Sequence, residues 1–212
     1  MKTVLLTGFE PFDGQAINPS EEIAREINDA TIARHKVVGA LLPCVFGAAL
    51  KELKHQIKRH DPAFVVCLGQ AGGRAEVTPE RVAINVDDAR IPDNAGQQPV
   101  DRPIVKDGPA AYFSTLPIKA IVHELRRREI PASVSQSAGT FVCNHVFYGL
   151  MHELALHRPS VRGGFIHVPF VPEQTTDQPH LPFETLTEAV RVAIAATAEY
   201  RRDLRSGGGQ VS

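Results

Sequence analysis

Cysteine is scarce in this sequence. There are three, Cys44, Cys67 and Cys143, odd in number and widely spaced. That pattern does not make a disulfide framework. No CxxC pair occurs, so the ligand spacing of a structural zinc site is missing too. Charge of one sign is also lacking: 23 Lys and Arg stand against 24 Asp and Glu, for a net charge of -1. A nucleic-acid protein needs a surplus of clustered Lys and Arg, and an acidic disordered chain needs the opposite imbalance. No apolar stretch approaches the roughly 18 residues of a transmembrane helix. The N-terminal MKTVLLTGFEPFDG has neither the apolar length nor the small-residue cleavage site of a signal peptide. The expectation is a cytoplasmic protein with reduced thiols, and no nucleic-acid or membrane partner.

Phosphate and metal motifs are absent as well. Gly69-Gln70-Ala71-Gly72-Gly73-Arg74 is glycine-rich but is not GxGxxG, and no GxxxxGK[ST] occurs. His152-Glu153 is followed by a histidine at 157 rather than 156. At 100° per residue the two imidazoles stand about 140° apart, which does not suit a shared metal. These histidines are expected on a solvent face.

What is present is an ordinary globular composition, 43% apolar and 22% charged in 212 residues. It suits one domain able to bury a core without disulfides or metal. Val4–Thr7, Val37–Leu42 and Ala63–Leu68 are short apolar runs closed by glycine or proline, as buried strands are. Pro19 onward, with Glu21 and Glu22 in the first turn, reads as a helix start. Residues 45–60 have apolar positions at helical spacing. Helices are also expected over 117–129, 142–157 and 184–201, and strands over 133–135 and 164–168. The alternation predicts an α/β fold, a twisted and mostly parallel sheet with helices on both faces. A single catalytic domain over 1–204 with a flexible tail over 205–212 is the expected organisation. Residues 87–109, dense in Asp, Pro and Gly, are expected to form a long surface loop, and such loops are often functional.

Cys143 is the residue with the most chemical promise. It opens the helix 142–157, where the positive end of the helix dipole favours a thiolate. Val146, Leu150, Met151 and Leu154 define the apolar face of that helix, and Cys143 lies within its arc. His145 points away, which makes the nearest histidine in sequence a poor partner. Cys44 and Cys67 read as structural. A thiol nucleophile needs a base. His167 lies near the C-terminal end of the strand 164–168, the end at which α/β proteins place ligands, and it shares a face with Phe165. A carboxylate would orient the imidazole. Glu80, Asp87, Asp88 and Asp93 are candidates that spacing does not separate. A different reading keeps the thiol structural and gives the Gly-rich loop a phosphate, as in a phosphorylase-type protein of the same fold class. A pure interaction module gives no reason for an inward thiol at a helix start.

Four segments carry a family resemblance. They are GFEPF with Asn18-Pro19-Ser20; GQAGGRAEVTPERVAIN from Gly69 to Asn85; DARIPDNAGQQP with GPAAYFSTLP; and SAGTFVCNHVFYGLMH followed by GFIHVPFVP. Over nearly its whole length the sequence resembles the pyroglutamyl peptidase I, or pyrrolidone-carboxylate peptidase, family of cysteine peptidases. The resemblance implies removal of N-terminal pyroglutamyl residues from peptides, with Cys143 as nucleophile, His167 as base and Glu80 as the acid behind it. It further implies that Phe9, Phe12, Phe141 and the backbone of Gln70 hold the pyroglutamyl ring, with Arg90 assisting nearby. No cofactor or metal is implied, and a homotetramer is. Asp13 stands where many members have glycine.

Overall fold

A computed structural model describes residues 1–209. Its centre is a six-stranded sheet. In chain order the strands are β1 (Lys2–Phe9), β2 (Thr31–Ile32), β3 (His35–Leu42), β4 (Phe64–Gln70), β5 (Thr78–Pro79) and, after a separate antiparallel pair of β6 (Val82–Ile84) and β7 (Ala111–Phe113), β8 (Arg162–Val168). The sheet order is β2-β3-β1-β4-β8-β5. β3, β1, β4 and β8 are parallel, and the short β2 and β5 close the two edges antiparallel. β1 and β4 are the most continuous apolar runs, and both lie inside the sheet, covered on both faces.

Helices α1 (Pro19–Glu26), α3 (Ile118–Arg126) and α5 (Phe183–Glu199) cover one face. Helices α2 (Ala48–His60) and α4 (Val142–His157) cover the other. The α1 start explains Asn18-Pro19-Ser20. Asn18 Oδ1 accepts from Ser20 N at 3.0 Å, Pro19 occupies the first turn, and Ser20 Oγ accepts from Phe9 N at 3.0 Å. This cap holds the loop after β1 against the sheet. Asp13, in that loop, has φ 54°, the left-handed conformation that glycine adopts freely and aspartate tolerates.

Several boundaries differ from the sequence reading. The helix expected from residue 45 starts at Ala48, because Gly47 has φ 74°. That frees the Phe46 and Gly47 amides for other partners. No strand forms over 133–135; the segment makes only single bridges, Val77 to Ala132 and Glu80 to Ser135. The residue 87–109 segment is irregular, but Asp87, Ala89 and Asp93 are buried within it. It lies against the outer side of α4, which is therefore buried on nearly all sides. Two histidines of α4 lie further inward than expected, His145 against Asp87 of this segment and His152 against Tyr112 of β7. His145, expected to point away from the core, is 6% exposed. His152, expected on a solvent face, is half-buried with Nδ1 2.9 Å from the Tyr112 hydroxyl, whereas His157 is exposed. Of the expected tail, residues 210–212 lie outside the described residues. Before them, Ser206 O accepts from Lys119 Nζ and Gly208 O from Arg81 Nη2.

Candidate active site

The site lies at the C-terminal ends of β4 and β8, on the face covered by α2 and α4. Gly69 on β4 and His167 on β8 are register partners. Side chains at paired positions of neighbouring strands project from the same face, across a strand spacing of about 4.8 Å. The Cys143 thiol occupies the space over Gly69: a Cβ built there would come within 2.9 Å of Sγ and 2.7 Å of the Phe165 ring. Only glycine leaves room for the thiol to settle beside the imidazole. Cys143 is the second residue of α4, and Phe141 at the N-cap supplies no side-chain cap. The first-turn amides of α4 are therefore free to bind a negative oxygen.

β5 brings the carboxylate. Thr78 is the register partner of His167, and Glu80 N donates to Phe165 O at 2.9 Å. Glu80 Oε1 then lies 2.7 Å from His167 Nδ1, with both side chains almost fully buried. A carboxylate at this distance fixes the tautomer: Nδ1 carries the proton, and Nε2 is left to exchange one. Burial drives the His167 pKa below its usual value, against the opposing pull of Glu80. The partners of Glu80, His167 foremost, hold its carboxyl below the usual range in spite of burial.

The thiol departs from the sequence reading. Burial raises its pKa, with smaller contributions from the neighbouring Cys44 and Glu80, while Arg74 opposes the rise. Burial thus works against the helix dipole and favours the neutral forms of both the thiol and the imidazole. Cys44 and Cys67, also buried, have their thiols pushed up to about 12.

The four candidate carboxylates separate cleanly. Glu80 faces His167. Asp87 lies 2.9 Å from Nδ1 of His145, whose Nε2 accepts from Gly47 N at 3.0 Å. This second Asp–His pair has both nitrogens occupied and ties the Gly47 turn to α4. Asp93 accepts from the Phe46, Ala95 and Gln97 amides. Asp88 is exposed, but its carbonyl accepts from Thr140 Oγ1 at 2.6 Å, which brings the Arg90 segment against the approach to Cys143.

The aromatic residues fall into two groups. Phe12 and Phe141 are half-buried, with ring centroids 6.0 Å apart, and Phe46 meets Phe141 edge-on at 5.4 Å. Phe9 is 2% exposed and packs at 6.3 Å against Phe165, which in turn lies 4.9 Å from the His167 ring. Gln70 is buried, its side-chain oxygen accepting from Gln174 at 2.7 Å, and Arg90 is exposed. Sequence reasoning missed Phe46, Asn144 and Arg74. Asn144 is fully buried and clamps β6, accepting from Ile84 N and donating to the Ile84 and Val86 carbonyls. Its place beside Cys143 was its only signal. Among the described residues no group of three or more His, Cys, Asp or Glu side chains could hold a metal ion. No helix there is long and apolar enough to cross a membrane.

A thiol, an imidazole and a carboxylate in this order can form and hydrolyse an acyl thioester. Comparison with known proteins agrees. The model of the pyroglutamyl peptidase family matches residues 2–200. The chain belongs to that family. A pyrrolidone-carboxylate peptidase of Cupriavidus taiwanensis is 57% identical over the whole of both chains. One from Bacillus thuringiensis is 53% identical over 99% of each. Among solved structures, the pyroglutamyl peptidase I of Bacillus amyloliquefaciens superposes with a TM-score of 0.96 at 50% identity, covering 97% of this chain and 99% of that one. The pyrrolidone carboxyl peptidase of Thermococcus litoralis gives 0.95 at 39% identity, covering 98% and 100%. Membership in this peptidase family removes the phosphorylase-type alternative for the Gly-rich loop.

Proposed function

We propose that this chain removes the N-terminal pyroglutamyl residue from peptides through a thioester on Cys143. The observation that carries the reading is the Glu80–His167 hydrogen bond beside a thiol seated over Gly69. With burial favouring the neutral thiol and the neutral imidazole, the first step is concerted. Sγ attacks the pyroglutamyl carbonyl as its proton passes to His167 Nε2. Glu80 stabilises the resulting imidazolium. The carbonyl electrons move onto oxygen, which the free amide of Cys143 at the α4 N-terminus stabilises. His167 returns the proton to the departing amine as the C–N bond breaks. Water, deprotonated by His167, then releases pyroglutamate and restores the thiol.

The substrate is a neutral lactam, so the pocket has no need of a carboxylate or metal to anchor an ammonium group. Phe12 and Phe141 flank the ring, with Phe9 supporting the pocket through Phe165, the Gln70 backbone bonding the lactam and Arg90 assisting nearby. Proline lacks the lactam carbonyl and would leave the pocket's polar groups unpaired, so prolyl substrates are rejected. The working unit is the domain 1–204 assembled as a homotetramer in the cytoplasm. Family resemblance supports the assembly, and the three free thiols support a reducing compartment.

The test offers a pyroglutamyl fluorogenic amide, a prolyl amide and the Cys143→Ala variant under reducing conditions. Turnover of the first substrate by the parent protein alone is expected. Turnover by Cys143→Ala, or equal turnover of the prolyl amide, would overturn the reading. Light scattering reports the assembly.

A further inference from the structure

Glu80 is wholly buried, and its two close side-chain hydrogen bonds fall on one oxygen, while the Ser135 hydroxyl nearby also favours the carboxylate. Oε1 meets both His167 Nδ1 and Arg74 Nη1 at 2.7 Å, while Oε2 has no partner among the described residues. A buried carboxylate held by one donor is poorly fixed, and a second, charged donor changes that. Arg74 reaches further. Nη1 also lies 2.6 Å from Thr78 Oγ1, and Nη2 donates to Ser137 O at 3.1 Å. Thr78 faces His167 in the β5–β8 register, and Ser137 begins the turn that leads through Gly139 into α4. Arg74 itself sits in the turn leaving β4, just beyond Gly69. One guanidinium therefore touches the carboxylate, the strand opposite the imidazole and the segment that delivers the thiol. A planar fork holds several acceptors in fixed directions, which a freely rotating ammonium group does not.

We propose that Arg74 is a positioning residue for the reaction, holding the Glu80 carboxylate against His167 and tying it to the approach to Cys143. The proposal rests on the Cys143–His167–Glu80 reading above. Arg74 is about a third exposed. Its outer side opens into a cavity of about 1050 Å³ also lined by Glu76, Lys119, His123, Arg126 and Arg127. Besides the Cys143 thiol over Gly69, the groups facing His167 are Glu80 and Arg74; besides His167, those facing Cys143 are Cys44, Cys67, Glu80 and Arg74. The Arg74 charge opposes protonation of His167. Its removal lets His167, still paired with Glu80, take up a proton at higher pH.

The experiment compares the whole protein with Arg74→Met, Arg74→Gln and Arg74→Lys on a pyroglutamyl amide, following kcat, KM and the pH dependence of kcat/KM. Arg74→Met should lower kcat by about 10–100-fold, the effect of losing one charged hydrogen bond, with KM little changed. Its acid limb should move to higher pH. Arg74→Lys should recover part of kcat and keep the acid limb of the parent. Arg74→Gln keeps a donor without the charge, so it should show the same displaced limb even if Arg74→Met does not fold. An unmoved limb in both neutral variants, or a raised KM with kcat intact, would overturn the role of Arg74. A parent protein inactive on this substrate would instead overturn the reading of the site on which the proposal rests.

Discussion

Substituting Gly69 by alanine probes the seat of the thiol directly. The added Cβ would lie 2.9 Å from Cys143 Sγ, where ordinary contact begins at 3.4 Å, so the sulfur must retreat by about 0.5 Å. The Phe165 ring, 2.7–2.8 Å from the same Cβ, cannot yield in its place. It is wedged between Phe9, Phe147 and His167, at centroid distances of 6.3, 6.0 and 4.9 Å. Overpacking of this kind costs about 1–3 kcal/mol, or a Tm lower by roughly 2–12 °C for a chain of this size. A 1 Å misplacement of a reacting group costs about 100-fold, so half that distance should lower kcat by about tenfold or more. Gly163→Ala is the matched control. Its Cβ would meet Leu154 Cδ1 at 2.6 Å, at the far end of β8 from the thiol. Calorimetry and steady-state kinetics on both variants separate stability from chemistry. Both should melt lower, and only Gly69→Ala should lose kcat. A Gly69→Ala enzyme with the kcat of the parent would refute the placement of Sγ over β4.

Three further outcomes follow from the same geometry. Because burial keeps the His167 pKa below the usual 6.5, the acid limb of kcat/KM should fall below that pH. Glu80→Gln removes the charge that favours the imidazolium, so the limb should move lower still while kcat drops; a pH–rate profile reads both. Asp87→Ala strips a buried partner from His145, and chemical denaturation should show a loss of about 1–3 kcal/mol; a comparable stability with kcat abolished would instead make His145 part of the chemistry. Phe46→Ala removes the edge-on support of Phe141, worth about 0.5–1.5 kcal/mol, and should raise KM by about 2–10-fold with kcat retained.

Much of the scaffold was legible in the residues because buried parallel strands are apolar on both faces. β1, β4 and β8 stand out for that reason, as do the amphipathic α1 and α2. The two-residue β2 and β5 and the short β6–β7 pair carry too few residues for a period to show. They form because partners distant in sequence offer them a ladder. The burial of His145 was illegible for a related reason: a wheel drawn on α4 alone cannot show that residues 87–109 cover its outer side. Cys143 and His167 emerged from local patterns, a helix start and a strand end. Glu80 did not, since its relation to His167 spans 87 positions and depends on the sheet order. The family motifs singled it out from Asp87, Asp88 and Asp93. Arg74 lies inside one of those motifs, but its contacts with Thr78, Glu80 and Ser137 are visible only in three dimensions.

The sheet order has a consequence for how the molecule comes into being. β8 is the last strand to be synthesised, yet it lies between β4 and β5. Until residues 162–168 have left the ribosome, β5 has no sheet to join, and the thiol over Gly69 has no imidazole beside it. Closing that pairing joins positions far apart in sequence, a slow, late step in folding. A nascent or truncated chain that stops short of β8 is therefore inert toward every peptide around it. The reactive centre assembles only when four-fifths of the polypeptide is already in place.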